Sequence, residues 1–400
     1  MNVIFLSISK MGHISEPSIS QDLLRKFVAN GHSVYVVCAN SEDAKHTELS
    51  LECGVTVLRV KTGKHKKALP IQKGVTSVTL PYLYIHAIKK HFNEIVFDLI
   101  LYPTPPITHY QTVKFLKKRD GASSYLLLKD IFPQNAIDIG MISKKGWKGI
   151  IYRYFRLVEK RLYDISDHIG CMSQANIDYI LKHNTISASK IEVCPNAIEI
   201  IDKSVTHENR HILREKYEIP QDKIVYIYGG NLGKPQGIPF LIRCIESQKD
   251  NENVFFLIVG DGTEYYKIEK YLSESHQRNV RLMRRLPREE YDSMVGACDV
   301  GLIFLDYRFT IPNFPSRLLA YLQAKLPVLA VTDRNTDIGD VLTDNAIGWW
   351  CPSNSVKAFE VRIKEIKKDD LEVIGSRGYD YLCNNYSVDV AYNSIMKHFN

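Results

Sequence analysis

The chain has 400 residues, of which 45% are hydrophobic and 24% are charged, and its formal net charge is +7. This length predicts two domains, and the composition is that of a soluble globular protein, which excludes disordered, fibrous and collagen-like classes. Eight cysteines with no C-x-x-C pair indicate a reducing cytoplasm rather than a disulfide scaffold. The first residues read as a strand and not as a signal peptide, and no apolar run reaches the roughly 18 residues of a membrane span.

Short β-rich apolar runs alternate with helical patterns along the chain. The predicted strands cover 3–8, 33–39, 55–60, 98–102, 123–128, 168–172, 191–194, 223–228, 253–259, 279–283, 299–305 and 327–331. Because these runs lack polar alternation, they predict parallel strands buried on both faces, with helices such as 20–30 and 288–298 between them. Gly31 follows the first helix where a left-handed residue would end it. The pattern predicts an α/β fold with two doubly wound parallel sheets.

The last strand of the first half and a polar stretch after it place the domain boundary near 196–206. We therefore expect domains over 1–195 and 196–378, with a helix over 379–400 that returns to the first domain. Positive charge is concentrated in the first half: residues 1–195 hold 26 Lys and Arg against 16 Asp and Glu, whereas residues 196–400 hold 26 against 29. An anionic membrane surface or an anionic acceptor fits this asymmetry.

Two segments carry most of this positive charge. One is a predicted loop over 59–73 that contains Gly63 and Pro70, and the other is a predicted helix over 144–161. In the helix, seven basic residues interleave with apolar residues at helical spacing. This pattern fits either an interfacial helix on a membrane or a domain-packing helix with a solvated basic face. Nucleic acid is disfavoured as a partner because no nucleic-acid-binding motif accompanies the charge.

The strongest chemical signal is the segment Y-G-G-N-L-G-K-P-Q-G over 228–237, which ends a predicted buried strand and precedes a helix. Glycines there let backbone N–H groups approach an anion, and the helix adds the positive end of its dipole. The spacing is not G-x-G-x-x-G, which disfavours a dinucleotide site and hence a dehydrogenase. A phosphate or sugar contact and a tight structural turn are the two interpretations.

Two further turns follow predicted strands of the second half. The segment V-G-D-G over 259–262 places Asp261 just beyond a strand, and N-F-P-S-R over 313–317 opens a helix. Free N–H groups at such a helix start suit a diphosphate, and Arg317 adds a possible bidentate phosphate contact. Ligands of open α/β sheets bind beyond the carboxyl ends of strands. The three turns together predict a phosphate or sugar site in this half.

The first half offers weaker signals. Asp130 leaves a predicted strand within K-D-I-F-P-Q-N over 129–135, where it is either catalytic or a helix cap, and Gly12 and His13 follow the first strand. The segment H-E-N-R-H over 207–211 matches the zinc pattern H-E-x-x-H. Its spacers are polar, its context is an interdomain stretch and no third ligand follows, so we predict no metal there.

The order of these signals resembles the GT-B glycosyltransferases of the large retaining family 4 over nearly the whole chain. The matching elements are the opening strand with its Gly12 loop, D-I-F-P at 130–133, C-M-S at 171–173, C-P-N-A-I at 194–198, G-N-L-G at 230–233, V-G-D-G at 259–262, A-C-D-V at 297–300, P-S-R at 315–317 and K-L-P-V at 325–328. The chain looks closest to the branch that builds bacterial O-antigen and capsule with amino-sugar transferases. The resemblance implies two facing Rossmann-like domains, with the donor held mainly by the second and the acceptor by the first.

The resemblance also implies a hexosyltransferase-type enzyme. It would move a sugar, an N-acetylated amino sugar in this branch, from a UDP-sugar to a lipid-linked saccharide, with retention, at the inner face of the bacterial plasma membrane. No D-x-D is present, so we expect metal-independent transfer in which helix N-termini and cations stabilise the leaving diphosphate. The implied donor-binding residues are Gly230, Asn231, Gly233, Lys234, Gln236, Asp261, Leu286, Pro287, Pro315, Ser316 and Arg317. Asp130 and Arg317 are the implied catalytic residues, and Gly12 and His13 are the implied acceptor-side residues.

Several positions depart from the common family pattern. The Glu-x7-Glu pair of the family falls on Pro312 and Ala320, and Asn231 and Gln236 replace the usual Arg and Lys of the glycine turn. The absence of the Glu pair leaves a non-catalytic GT-B subunit that stabilises a polysaccharide complex as one alternative. A UDP-sugar 2-epimerase of the same fold, which would also bind UDP-sugars, is the other.

Overall fold

The computed structural model describes residues 1–8, 10–41, 43–62 and 70–399, and it describes residues 70–78 by their backbone alone. The chain divides into two compact units, unit 1 (Met1–Glu199 with Val388–Asn400) and unit 2 (Ile200–Ser387). The division falls after Glu199, which lies within the stretch 196–206 where the boundary is expected. The segment that returns to unit 1 begins at Val388, later than the expected 379.

Unit 1 is built on one eight-stranded sheet. Its strands are β1 (Asn2–Leu6), β2 (Ser33–Ala39), β3 (Glu48–Glu52), β4 (Val55–Val60), β5 (Leu99–Pro103), β6 (Ser123–Leu128), β7 (His168–Cys171) and β8 (Ile191–Val193), in the order β3-β4-β2-β1-β5-β6-β7-β8. All neighbours pair in parallel except β3, which is antiparallel to β4. The seven predicted strands are confirmed. The sequence did not predict β3, whose outward residues include the exposed Leu49 and Leu51.

Helices cover the sheet of unit 1 as α1 (Ile19–Ala29), α2 (Pro70–His91), α3 (Tyr110–Asp120), α4 (Gln134–Asp138), α5 (Gly146–Ile165) and α6 (Gln174–His183). Ser18 caps α1, because its side chain accepts a hydrogen bond from Gln21 N, and Gly31 follows at φ +80°. In the basic segment over 59–73, residues 63–69 lie outside the described residues. Pro70 begins α2, so Lys73 lies in a helix and not in the predicted loop.

Unit 2 has a six-stranded, fully parallel sheet. Its strands are β9 (Ile224–Asn231), β10 (Val254–Asp261), β11 (Val280–Met283), β12 (Val300–Phe304), β13 (Val328–Thr332) and β14 (Gly348–Pro352), in the order β11-β10-β9-β12-β13-β14. The five predicted strands are confirmed, and β14 was not predicted. The helices are α7 (His207–Lys216), α8 (Ile238–Glu246), α9 (Tyr265–Ser275), α10 (Arg288–Gly296), α11 (Arg317–Gln323), α12 (Ile338–Asp344), α13 (Val356–Glu365) and α14 (Leu371–Asn385).

Each sheet reverses its strand order once. In unit 2 the chain runs outward from β9 through β10 and β11 and then returns to β12 on the other side of β9. In unit 1 it runs outward from β1 through β2 and later returns to β5 on the other side of β1. Ligands of doubly wound sheets bind at the carboxyl ends of the strands at such reversals. The fold therefore places the crevice of unit 2 between the ends of β9 and β12.

The last helix, α15 (Val388–Met396), completes the core of unit 1. Its apolar side chains Ala391 and Ile395 are buried in a cluster that includes Leu24 and Phe27 of α1. Lys26 of α1 also forms an ion pair with Asp389. Within the described part of the chain, no helix is both long enough and apolar enough to cross a membrane.

Candidate active site

The glycine-rich turn after β9 is stabilised by its own side chains. Gly230 has φ +117°, a conformation that β-carbon-bearing residues rarely adopt. The side chain of Gln236 accepts hydrogen bonds from Asn231 Nδ2 at 2.9 Å and from Gly233 N at 3.2 Å. Asn231 and Gln236 therefore brace the turn, whereas Lys234 lies exposed at its tip.

Arg317, the first residue of α11, lies against this turn. Its guanidinium carbon is 4.4 Å from the centre of the Tyr228 ring. A β-carbon added to Gly230 would lie 3.7 Å from Arg317 Nη2. Arg317 and Gly230, which the sequence analysis both assigns to the diphosphate, therefore lie next to each other.

The guanidinium of Arg317 lacks a counter-charge. Its Nη1 atom is buried without a hydrogen-bond partner, and no carboxylate of the described residues pairs with it. A buried charged group without a partner is costly, so such groups are normally paired or bound to an ion. The arrangement therefore suits an anionic ligand at the carboxyl end of β9.

Tyr321 fixes α11 to the sheet beside this turn. Its hydroxyl accepts a hydrogen bond from Gly229 N at 3.2 Å and lies 3.1 Å from the carbonyl oxygens of Ile227 and Leu302. Because Tyr321 is one turn after Arg317, this anchor also sets the position of the guanidinium. The sequence does not indicate this role of Tyr321, because a tyrosine in an apolar helix carries no local signal for it.

Asp261 lies at the end of β10, in register with Asn231 of β9. Its Oδ1 accepts a hydrogen bond from Arg284 Nη1 at 2.9 Å, and Oδ2 accepts one from Arg285 N at 3.3 Å. The hydrogen bond from Arg284 lowers the pKa of the Asp261 carboxyl. Asp261 is therefore an ionised acceptor that is already engaged by the segment after β11.

The remaining predicted donor residues flank two helices of unit 2. Leu286 and Pro287 connect β11 to α10, so they lie two strands away from the glycine turn. Pro315 and Ser316 precede α11, and Ser316 is exposed. The structure thus brings Arg317 to the glycine turn in direct contact, while these four residues lie on the connections around the same edge of the sheet.

In unit 1, Asp130 follows β6 and is held by two neighbours. Both of its carboxylate oxygens accept hydrogen bonds from Asn135 Nδ2, at 2.7 and 2.8 Å. The Thr104 hydroxyl donates to the Asp130 carbonyl at 3.0 Å and accepts from Lys129 N at 3.0 Å. Asn135 and Thr104 were not identified from the sequence as positioning residues.

Burial shifts the pKa values of Asp130 and Lys129. It raises the pKa of the Asp130 carboxyl to about 6 and lowers the pKa of the Lys129 ammonium to about 8. Desolvation disfavours the charged form of each group, and the Asn135 amide opposes the effect on Asp130 only in part. A carboxyl with a pKa near 6 can exchange a proton close to neutral pH, which suits acid–base or polar contact chemistry.

Gly12 and His13 lie in the loop after β1, where local contacts hold them. His13 Nδ1 is 2.8 Å from Ser15 Oγ, and His13 N donates to Glu16 Oε1 at 3.1 Å. The His13 side chain is more than half exposed. A β-carbon on Gly12 would overlap Glu16 Oε2 at 2.2 Å, so glycine leaves room for that carboxylate.

The described ranges contain no group of three or more His, Cys, Asp or Glu residues that could hold a metal ion. His207 and His211, the two histidines of the zinc-like pattern, lie on the exposed side of the first turns of α7. The tightest charged contacts near them involve Arg210 and Arg214, which both bind Asp299. The start of this helix is therefore basic, and Arg214 is buried whereas both histidines are exposed.

Two family models match the chain, one in each half. The model described as Glycosyltransferase Family 4 matches residues 20–200, and the model described as Glycosyl transferases group 1 matches residues 209–379. The first match falls within unit 1 apart from one residue, and the second falls within unit 2.

Curated relatives support the same assignment. The chain is 28% identical to the protein named "Probable glycosyltransferase WbjE" of Pseudomonas aeruginosa, over 72% of this chain and 71% of that protein. It is 24% identical to WcaI of Escherichia coli (strain K12), whose name assigns it to colanic acid biosynthesis as a glycosyl transferase, over 51% of this chain and 49% of that protein.

Solved structures share the fold at low sequence identity. The sucrose-phosphate synthase of Thermosynechococcus elongatus superposes with a TM-score of 0.78 at 14% identity, over 100% of this chain and 98% of that one. WaaG, a glycosyltransferase involved in lipopolysaccharide biosynthesis, gives 0.66 at 15% identity over 100% of both chains. Anabaena HepE in complex with UDP-glucose gives 0.68 at 14% identity, over 100% of this chain and 99% of that one. The chain is therefore a glycosyltransferase of the GT-B fold, with a family 4-like first half and a group 1-like second half.

Proposed function

We propose that unit 2 binds a UDP-sugar beyond the ends of β9 and β12, with the diphosphate against Arg317 and the glycine turn. The observation that carries this proposal is the buried, unpaired Nη1 of Arg317, which lies on the Tyr228 ring beside Gly230. An anion at this point would satisfy the open donor and neutralise the cation. The solved complex of HepE contains UDP-glucose, which supports a UDP-sugar as the donor.

In this proposal, transfer is independent of metal. Negative charge develops on the leaving diphosphate, and donors that are already oriented toward it lower the barrier. Arg317, Lys234 and the backbone N–H groups of Gly230 and Ser316 would supply this stabilisation, while Gly233 N donates to Gln236 and helps to hold the turn. Asp261, Leu286 and Pro287 contact the rest of the donor. The anomeric configuration is retained, as the family resemblance implies.

We assign the acceptor to unit 1. Asp130 contacts the acceptor hydroxyl or the transferred sugar, since its carboxyl is oriented by Asn135 and titrates near neutral pH. Gly12 and His13 belong to the same acceptor side. The acceptor is a lipid-linked saccharide, and the transferred residue is an N-acetylated amino sugar of an O-antigen or capsular polysaccharide. WcaI supports a role in cell-surface polysaccharide synthesis, because its name places it in colanic acid biosynthesis.

The enzyme would act at the inner face of the plasma membrane through α5. The C-terminal half of this helix packs on unit 1 with Val158 and Leu162, whereas the exposed face of its N-terminal half includes Trp147 and Ile150, which are 69% and 67% exposed. Basic residues interleave with this exposed face at Lys144, Lys145, Lys148, Arg153, Lys160 and Arg161. Apolar side chains with basic flanks suit an anionic membrane surface.

Calorimetric titration with UDP, GDP and UDP-N-acetylglucosamine in the presence of EDTA tests the donor assignment. We expect micromolar to submillimolar UDP binding that is lost in Arg317→Ala and kept in Arg278→Ala, an exposed arginine at the opposite edge of the sheet. Absence of nucleotide binding would support the non-catalytic subunit instead. Interconversion of UDP-sugars without an acceptor would support the 2-epimerase, and nuclear magnetic resonance of the transfer product would test retention.

A further inference from the structure

A second recess of about 470 Å³ lies entirely within unit 2, at the other edge of its sheet. Its lining includes Asp299 and Pro327, the residues that directly precede β12 and β13. The glycine turn and Arg317 lie beyond the carboxyl ends of the strands, whereas this recess lies at their amino ends. It is therefore separate from the proposed donor site, and its size is within the range of small-molecule pockets.

The lining of the recess is basic, although unit 2 is acidic. Unit 2 has 25 Lys and Arg against 27 Asp and Glu, a net charge of −2. The lining contains four cationic side chains and two carboxylates, Asp299 and Glu372, and the net charge is +1 when Asp202, which pairs with Lys325, is included. Its cations are Arg210, Arg214, Lys325 and Lys368. Such a local reversal of charge favours an anionic ligand.

The inner end of the recess has more positive charge than its carboxylate can balance. Asp299 pairs with both Arg210 and Arg214 and also accepts a hydrogen bond from Val225 N. Arg214 is buried, and it directs its other donors to carbonyl oxygens, including that of Ala297 at 2.9 Å. Arg210 bonds only Asp299 among the residues described, so its Nε and Nη1 groups remain available to a ligand.

Lys325, on another wall of the recess, has a backbone conformation that favours glycine. Its φ is +54°, in the left-handed region that costs energy for any residue with a β-carbon. Its ammonium lies 2.7 Å from Asp202 Oδ2 and 5.0 Å from the centre of the Tyr379 ring. A strained residue at a cavity wall is a sign that its side chain has a role that glycine could not perform.

We propose that this recess is a second binding site, separate from the donor site, for a small phosphorylated ligand. Arg210 binds the phosphate from the inner end, Lys325 and Lys368 bind it from the sides, and His211 adds a ring N–H at the entrance. A phosphate group offers several oxygens to donors from different directions, which a single carboxylate does not. The proposed site thus gives Arg210 and His211 of the H-E-N-R-H segment a role that does not involve zinc.

Titration calorimetry of the full chain with inorganic pyrophosphate at low ionic strength tests this proposal. We expect the wild type to bind, and Lys325→Gly and Lys368→Gln to bind at least about tenfold more weakly, because each removes one charge-assisted contact. The matched control is Lys364→Gln, which removes an exposed lysine of α13 that does not line the recess and should leave this affinity unchanged. No binding by the wild type would overturn the proposal.

A donor-site variant, Lys234→Ala, distinguishes the two sites of unit 2. If pyrophosphate binding is lost in Lys234→Ala but kept in Lys325→Gly, the ligand occupies the donor site and the proposal is wrong. Lys325→Gly also relieves the left-handed strain, so we expect its melting temperature to stay within about 3 °C of the wild type. Normal melting with lost binding therefore excludes misfolding as the cause.

Discussion

The guanidinium of Arg317 rests on the ring of Tyr228, with 4.4 Å between the guanidinium carbon and the ring centre. An aromatic face attracts a cation without neutralising it, so the positive charge remains available to a ligand. A carboxylate in the same place would compete with a diphosphate. The pair thus holds Arg317 in one position while keeping its charge free.

Replacement of Arg317 by alanine is expected to lower donor turnover by about 10²- to 10³-fold, the usual effect of removing one donor that stabilises developing charge. Arg317→Lys should recover only part of the loss, because an ammonium lacks the flat fork that stacks on Tyr228. Steady-state kinetics with a UDP-sugar measure both variants, with Arg278→Ala as the control. Turnover near the wild-type value in Arg317→Ala would remove this residue from the mechanism.

Alanine at Gly230 is expected to destabilise unit 2 by about 1–3 kcal/mol, because φ +117° is strained for a residue with a β-carbon. The new β-carbon would also contact Arg317. Urea unfolding in a Trp147→Phe background reports on unit 2, since the other tryptophans, Trp349 and Trp350, both lie in β14.

The control for this substitution is Gly31→Ala. Gly31 has φ +80° and has open space where its β-carbon would be, so it carries backbone strain without a contact to the candidate site. We expect Gly31→Ala to lower the stability of unit 1, measured by far-ultraviolet circular dichroism, but to keep UDP affinity, and we expect Gly230→Ala to lose both stability and UDP affinity. Equal UDP affinity in the two variants would contradict a role for the Gly230 turn in donor binding.

Ionised Asp130 is expected to support sugar transfer but to lower the stability of the folded protein. Its pKa in the folded protein, about 6, lies above the ordinary value of 3.8, so the folded state binds its proton more tightly than the unfolded state. The resulting stabilisation is fully present below pH 3.8 and is lost as the pH rises to about 6. At pH 7.5, Asp130→Asn is therefore expected to raise the melting temperature while it lowers transfer.

The pH profile gives an independent measurement of the same residue. If ionised Asp130 serves the acceptor, kcat/KM should fall as the pH drops below about 6, and Asp130→Asn should lose this dependence along with most of its activity. Asp164→Asn, at an exposed carboxylate near the end of α5, is the control. A wild-type profile that is flat between pH 5 and 7 would contradict the assignment.

Loss of apolar side chains from α5 is expected to weaken membrane binding. The double substitution of Trp147 and Ile150 by serine should reduce cosedimentation with phosphatidylglycerol vesicles by at least about tenfold, because each buried apolar side chain contributes about 1.5–3 kcal/mol. Leu51→Ser is the control, because Leu51 is 75% exposed on the edge strand β3 and does not belong to α5. Equal effects of the two changes would argue against α5 as the docking face.

The sequence predicted twelve of the strands because their apolar runs are continuous, as burial on both faces requires. It missed β3, in which polar and apolar residues alternate at an exposed edge, and β14, whose two tryptophans stand between Gly348 and Pro352. Both are edge strands. An edge strand has one neighbour and a less uniform environment, so its sequence pattern is weaker.

The sequence signals of the candidate site are strongest where the chemistry is local. The glycine turn and Arg317 carry their signals within a few residues. The bond between Asn231 and Gln236, the anchor of Tyr321 on Gly229 and the orientation of Asp130 by Asn135 depend on side-chain directions or on residues far apart in the chain. Packing decides such contacts, and residue type alone does not specify them.

The return of α15 to unit 1 has a consequence for synthesis on the ribosome. Residues 388–399 emerge only after all of unit 2 has been made, so until then the surface of α1 that includes Leu24 and Phe27 lacks its covering helix. Domains generally fold in the order in which they are synthesised. Here the first unit to begin is the last to be completed, and nascent chains stalled within unit 2 would present that uncovered surface to chaperones.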